Sequence, residues 1–448
     1  MAIEPPPSKA WAPVALGLLL AAAPAAAQDV SGFGELRVQG QIGVDGNPIQ
    51  VVERVRPSFT GELGERVRLV ATLELGLAQG RNQQAEFQRV VDDAAGPLLD
   101  AAGCVWPEPA LSVLNIDGID DALTIERFFA DVYLSWADIR VGRQSITWGS
   151  ALMINPTDPF PELLLAEPWR PRQGLDAARA IIALPGYNDL TAVIGTNRAL
   201  DALRAAARLR LNVLETDVAL VGAWRTDGGI DGEGNGIVGL DVKGTLELGY
   251  WLESAVHLGD DDPYVELAVG VDYSFPVLEN LIVSAQYYYN GAGGEVAGLG
   301  GGGLTGAIRG PDCGCATGPE PTNSDGVDPF AALGGEAQTD PFAPLLGGEH
   351  YVLAALSLGF DLDWSGSLFW LQNLGDGTAI AVPTLAYVAR DWLTVSLSAQ
   401  VPLDLGGDGG EFAPSDADLR VPLAPGTTLD FTGLVPAASL TAWARASF

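Results

Sequence analysis

The chain has 448 residues, with 24 Lys plus Arg against 57 Asp plus Glu, a formal charge of −33 at pH 7, and 56 glycines. Such an acidic balance excludes a nucleic-acid partner, because phosphates require a basic surface. An acidic exterior suits loops that meet divalent cations, and it serves solubility equally well.

From the N-terminus, Lys9 precedes an apolar run from Ala12 to Ala23 and a small-residue site, Ala25-Ala26-Ala27. This reads as a signal peptide over 1–27, leaving 28–448 as the mature chain. No other stretch approaches the roughly 18 uninterrupted apolar residues that a spanning helix needs.

From there the pattern is period two. Leu36 and Val38 alternate with Glu35 and Arg37; Leu69, Leu73, Leu75 and Leu77 alternate with Arg68, Thr72 and Glu74. Further segments run through 125–136, 264–275, 351–362 and 392–401, the last being 437–448. Alternation over such lengths predicts half-buried strands. Eighteen segments can be drawn. Those near 178–195 and 236–242 carry the weakest pattern, which leaves sixteen strands open. Even-numbered connections are tight, as at Ala137, Leu214-Glu215 and Arg390-Asp391. The long ones, near 78–124, 148–177, 291–350 and 402–436, are all odd-numbered. Loops sorted by parity predict an all-β fold, a single transmembrane antiparallel up-and-down β-barrel of about 18 strands, with short periplasmic turns and long outer loops.

Over the last strand, Ala438, Leu440, Ala442, Ala444, Ala446 and Phe448 share one face, while Thr441, Trp443 and Arg445 share the other. This resembles the C-terminal signal of Gram-negative outer-membrane barrels, carried here by Trp443 and Phe448. The resemblance implies residence in the outer membrane, contact with its lipid and lipopolysaccharide, and a partner in the barrel-assembly machinery.

Charge is unevenly placed. Eighteen of the 22 arginines lie between Arg37 and Arg225. Arg37, Arg54, Arg56, Arg66, Arg68, Arg127, Arg204, Arg208 and Arg210 are the candidate pore-lining residues, forming a basic ladder that orients solutes against acidic loops. The competing reading pairs them with Glu35, Glu53, Glu62, Glu74 and Asp131 as stiffening of the wall. After the hairpin Trp136-Ala137-Asp138-Ile139-Arg140 comes Val141-Gly142-Arg143-Gln144-Ser145-Ile146-Thr147-Trp148-Gly149, then Asn155-Pro156-Thr157-Asp158. Over about 30 residues this resembles poorly characterised porin-like outer-membrane proteins, loosely akin to the alginate-export type. In that setting Arg143, Gln144 and Trp148 lie toward the lumen near the outer rim. Alternatively the loop folds in on its own turns, and Trp148 joins the interfacial belt.

An aromatic girdle accounts for most strand-end aromatics, including Trp136, Trp224, Trp251, Trp364 and Trp392. Asp227, Asp231, Glu233 and Asn235, with Asp260-Asp261-Asp262, fall on outer loops, where oxygen ligands could hold Ca²⁺; no other cofactor or metal is expected. Cys104, Cys313 and Cys315 allow a disulfide between two outer loops with one thiol left over. His257 and His350 belong to no catalytic spacing, so no enzyme is expected. The expectation is a porin-like channel for passive diffusion of small hydrophilic solutes, with anions as candidates. A loop-plugged barrel serving as an adhesion or assembly platform, and an outer-membrane hydrolase, are the alternatives. Oligomeric state is not encoded in any recognisable interface.

Overall fold

The computed structural model describes residues 29–43, 49–80, 123–160, 174–196, 202–227, 234–259, 263–294, 346–407, 409–415, 420–424, 427–430 and 436–448. The signal-peptide segment, the three cysteines, Asp231, Glu233, Asp260 to Asp262 and most of the long loops lie outside these residues.

Among the described residues twenty strands occur: β1 Asp29–Ile42, β2 Ile49–Leu63, β3 Val67–Gly80, β4 Leu123–Tyr133, β5 Asp138–Gln144, β6 Leu175–Leu184, β7 Asn188–Thr196, β8 Ala202–Val213, β9 Thr216–Asp227 and β10 Gly234–Thr245. They continue as β11 Gly249–Leu258, β12 Tyr264–Phe275, β13 Asn280–Asn290, β14 His350–Gly359, β15 Trp364–Asn373, β16 Thr378–Arg390, β17 Leu393–Asp404, β18 Arg420–Ala424, β19 Thr427–Asp430 and β20 Ala438–Ser447. Strands β18 and β19 form a separate hairpin within the last long connection. The other 18 pair in chain order, each antiparallel to the next, and β20 pairs with both β17 and β1. The sheet closes on itself, so it has no edge strand. The weak segments at 178–195 and 236–242 are full strands, so the barrel has the expected eighteen.

Turns sort as the loop lengths predicted. The two-residue link at Leu214-Glu215 puts both residues at positive φ (52° and 64°), the conformation a primed hairpin turn demands, without the usual Asn-Gly. All short even connections lie at the end that holds Asp29 and Phe448.

The alternation is the reverse of a soluble sheet. On β1, Glu35 and Arg37 are 5% and 4% exposed while Leu36 and Val38 are 49% and 41% exposed. Leu77, Ile194, Val238 and Leu397 repeat the outward apolar exposure on other strands. An apolar surface that wraps the whole cylinder is stable against lipid and not against water. Glu53 departs from its expected place. It pairs across from Leu36 and Leu77 and so points outward rather than pairing with an inner arginine.

Candidate functional site: a divided lumen

After β5 the chain turns into the barrel and crosses it. Gln144, fully buried, donates from Nε2 to the carbonyls of Ala177 (3.0 Å) and Gly142 (3.3 Å). Trp148 packs with Ile146, Phe160, Ala177, Val193, Ala206 and Val221 on the inner face of β6–β9. Gly149 then takes φ +91°, and a Cβ there would stand 2.7 Å from a Glu253 oxygen.

Glu253, on the inner face of β11, receives the segment. Its Oε1 accepts the N–H groups of Ser150 and Ala151, and its Oε2 accepts the Thr157 hydroxyl (2.8 Å) and N–H (3.3 Å). Ser150 also donates its hydroxyl to Asp241. Gln286, on β13, accepts Leu152 N–H (2.6 Å) and Trp251 Nε1–H (2.8 Å) and donates to the Ile154 carbonyl. The expected Asn155-Pro156-Thr157-Asp158 turn closes with Asp158 N–H on the Asn155 carbonyl at 3.0 Å. Glycine at 239 leaves room for Thr157, whose methyl would lie 2.8 Å from a Cβ there.

Ile154 enters a second buried cluster with Ala268, Tyr288, Tyr351, Leu353, Leu371, Ile380 and Val382 from the β12–β16 wall. Leu346 and Phe412, from the ends of two other outer connections, join the same cluster. One side of the interior is therefore apolar and filled by three converging loops.

The opposite side is ionic. Arg54 reaches Glu74 at 2.9 Å and Glu35 at 3.5 Å; Arg56 reaches Glu126 at 3.5 Å and Glu74 at 3.8 Å. Arg140 grips Asp131 with two bonds, 2.6 and 3.0 Å. Arg210 meets Asp189 at 2.6 Å, and Arg445 meets Glu35 at 2.6 Å. Arg208 lies over the Trp148 ring at 5.5 Å. Arg37, Arg127 and Arg204 also face inward, opposite Trp443, Thr72 and Arg225 respectively.

At the outer mouth Glu411 clasps two loops. Its carboxylate accepts Gly347 N–H (2.9 Å), the Tyr351 hydroxyl (2.5 Å) and Asn373 Nδ2 (2.9 Å), and Asp376 accepts its own N–H at 2.7 Å. Burial, with Asp376 adding repulsion, raises this carboxyl above the ordinary range against those hydrogen bonds. A raised folded-state value means that the clasp is favoured below the unfolded carboxyl pKa and weakens as pH rises through the folded one. Protease cutting within 405–415 is therefore expected to increase with pH in the native chain and to lose that dependence in Glu411→Gln. An unchanged dependence in the variant would refute the assignment.

No family model matches the chain, and no curated protein matches it. Solved structures do. Wzi, an outer-membrane protein involved in group 1 capsule assembly in Escherichia coli, is 10% identical over 99% of this chain and 89% of its own, with a TM-score of 0.50. OccK5 (OpdH) of Pseudomonas aeruginosa is 9% identical over 94% of this chain and 98% of its own, at 0.49. The opdK protein of the same organism is 12% identical over 94% and 99%, at 0.47. These likenesses are of fold. The closed 18-strand cylinder and its outward apolar belt, with the likeness of fold to Wzi, decide the class. The protein is a Gram-negative outer-membrane β-barrel.

In this outer-membrane barrel several expected residues move. Arg143 faces outward beside Phe128, because it pairs across from Phe128 and Asp176; it binds Asp176 at 2.6 and 3.0 Å and the Ile125 carbonyl at 3.2 Å. Arg66 sits in the β2–β3 turn rather than on the wall, where its carbonyl accepts Tyr133 N–H. Arg68 faces inward near that periplasmic mouth, across from Asp131. Trp148, Trp251 and Trp443 are interior, 3%, 5% and 8% exposed, so none belongs to the girdle. Trp136, Trp224, Trp364 and Trp392 do face out. Phe448 is exposed and exchanges two backbone hydrogen bonds with Gly32. Sequence reasoning missed Glu253, Gln286, Asp241, Arg179, Glu126 and Glu411. The available signal for Glu253 was an acid on the inward parity of β11, between Trp251 and Ala255.

Proposed function

We propose that this barrel is a passive channel for small hydrophilic solutes, anions among them, with permeation along the ionic wall of β1–β9. The observation that carries this reading is the division of the interior. Guanidinium and carboxylate groups line one side, and the inward segment narrows the passage from the other. Fixed charges at a constriction select solutes by charge without any covalent step. No enzyme is proposed. His257 Nε2 is engaged by Glu266 at 2.8 Å, and His350 Nδ1 by the Tyr287 hydroxyl at 2.8 Å. No cofactor is assigned a role. Outer-membrane lipid, lipopolysaccharide at the outer rim and the assembly machinery at β20 are the partners that go with this reading.

The test is the mature chain in planar bilayers. Discrete conductance steps with anion preference are expected, and Arg66→Ala with Arg68→Ala at the periplasmic mouth should lower that preference about twofold. A barrel that inserts, migrates heat-modifiably and never conducts would overturn the reading. The meeting of Ile154, Leu346 and Phe412 from three connections supports a second one, a plugged barrel acting as an adhesion or assembly platform.

A further inference from the structure

We infer that Arg179 is an anion-binding station in the lumen, and that its ligand is the carboxylate of a small organic acid. Arg179 faces inward on β6, across from Arg140 on β5 and Val193 on β7. Its charged neighbours are Arg140, Asp131 and Arg208, two cations and one anion. That anion is already taken, since both Asp131 oxygens are held by Arg140.

Among the described residues Arg179 makes no ion pair, and its buried Nε has no hydrogen-bond partner. Arg127 and Arg208 share the unpartnered Nε, whereas five other arginines of the wall are paired. Arg54, Arg56, Arg140, Arg210 and Arg445 each hold a carboxylate. Arg208 stacks on Trp148 and has Asp189, Asp241 and Asp158 as opposing charges.

A guanidinium does not shed its proton in a protein, so Arg179 cannot escape this imbalance by neutralising itself. Partial removal from water makes the uncompensated charge costly. An anion from solution would compensate this charge more fully than lumen water does. The planar donor fork selects among anions, because a carboxylate can take two parallel hydrogen bonds where chloride offers a single point. Arg208, held by Trp148, adds a second positive charge without competing for the same geometry.

The consequence for transport rests on the channel reading; the binding itself does not. The experiment uses the whole mature barrel with acetate, chloride and phosphate at equal ionic strength, comparing native protein with Arg179→Gln and Arg179→Lys. In detergent, acetate is expected to raise the temperature of the heat-modifiable gel shift more than chloride does. Arg179→Gln should abolish that difference. Arg179→Lys, which keeps the charge and loses the fork, should weaken the acetate effect about tenfold in concentration. In bilayers, acetate current should saturate in the native barrel and not in Arg179→Gln. An acetate response identical in native protein and both variants, all folded by the same gel shift, overturns the station. Phosphate acting at lower concentration than acetate overturns the carboxylate assignment. A barrel that never conducts while acetate still stabilises it through Arg179 overturns the channel and keeps the station. Conduction without any acetate effect does the reverse.

Discussion

Replacing Glu253 with alanine is expected to raise single-channel conductance severalfold and to open residues 149–158 to protease. The inward segment has little regular structure of its own, and three of its backbone donors are satisfied by one side chain from the opposite wall. Glu253 is fully buried and accepts from Ser150, Ala151 and Thr157 together. Truncation leaves several donors facing a void, each costing about 1–3 kcal/mol when no water reaches it. Gln286 and the Ile154 contact stay in place, so the segment should detach at its 149–151 and 157 anchors first. Glu253→Gln preserves shape and one acceptor oxygen, and should give an intermediate conductance. Single-channel recording with limited proteolysis reads both effects. Unchanged conductance together with an uncut segment would show that packing at Trp148 and Ile154, rather than the carboxylate, holds the inward segment.

The strands were legible because period two is a local signal that the barrel does not override. Lipid and lumen demand opposite chemistry from neighbouring residues, so each segment declares its own faces. Arg143 shows where resemblance and charge together misled. It shares parity with Val141, and the alternation alone would have placed it outward. Its partner, Asp176, comes from the facing strand through a register that no local pattern encodes. Glu53 is the mirror case, an acid on the lipid parity of β2 that charge again argued inward. Trp148 lies beyond Gln144, the last residue of β5, where alternation ends and orientation carries no periodic mark. The receptor of its segment was beyond reach for a different reason. Glu253 lies about a hundred residues further on in sequence, and nothing in either stretch names the other.

Glu35→Ala is expected to give the largest loss of stability of any single change in the ionic wall. Glu35 lies on β1, with Arg54 of β2 opposite it on one side and Arg445 of β20 on the other. Its side chain is 1% exposed, and Arg445 reaches it at 2.6 and 3.0 Å across the seam where the first and last strands meet. Breaking a fully buried pair from one side costs about 3–5 kcal/mol, and the cost here is lower because Arg445, the stranded partner, is 30% exposed. Arg54 keeps Glu74 at 2.9 Å, so the uncompensated group is Arg445, which retains only its contact over the Phe33 ring at 4.4 Å. The loss therefore falls on the β1–β20 closure, which the paired backbone bonds of Gly32 and Phe448 must then hold at the periplasmic end. Arg445→Ala should cost less, because Glu35 retains Arg54. The gel-shift temperature of the two single variants and the double variant measures this directly. Removing Arg445 in the Glu35→Ala background should recover part of the loss, since it removes the stranded charge. Equal and additive losses would mean that the seam is held by its backbone ladder alone.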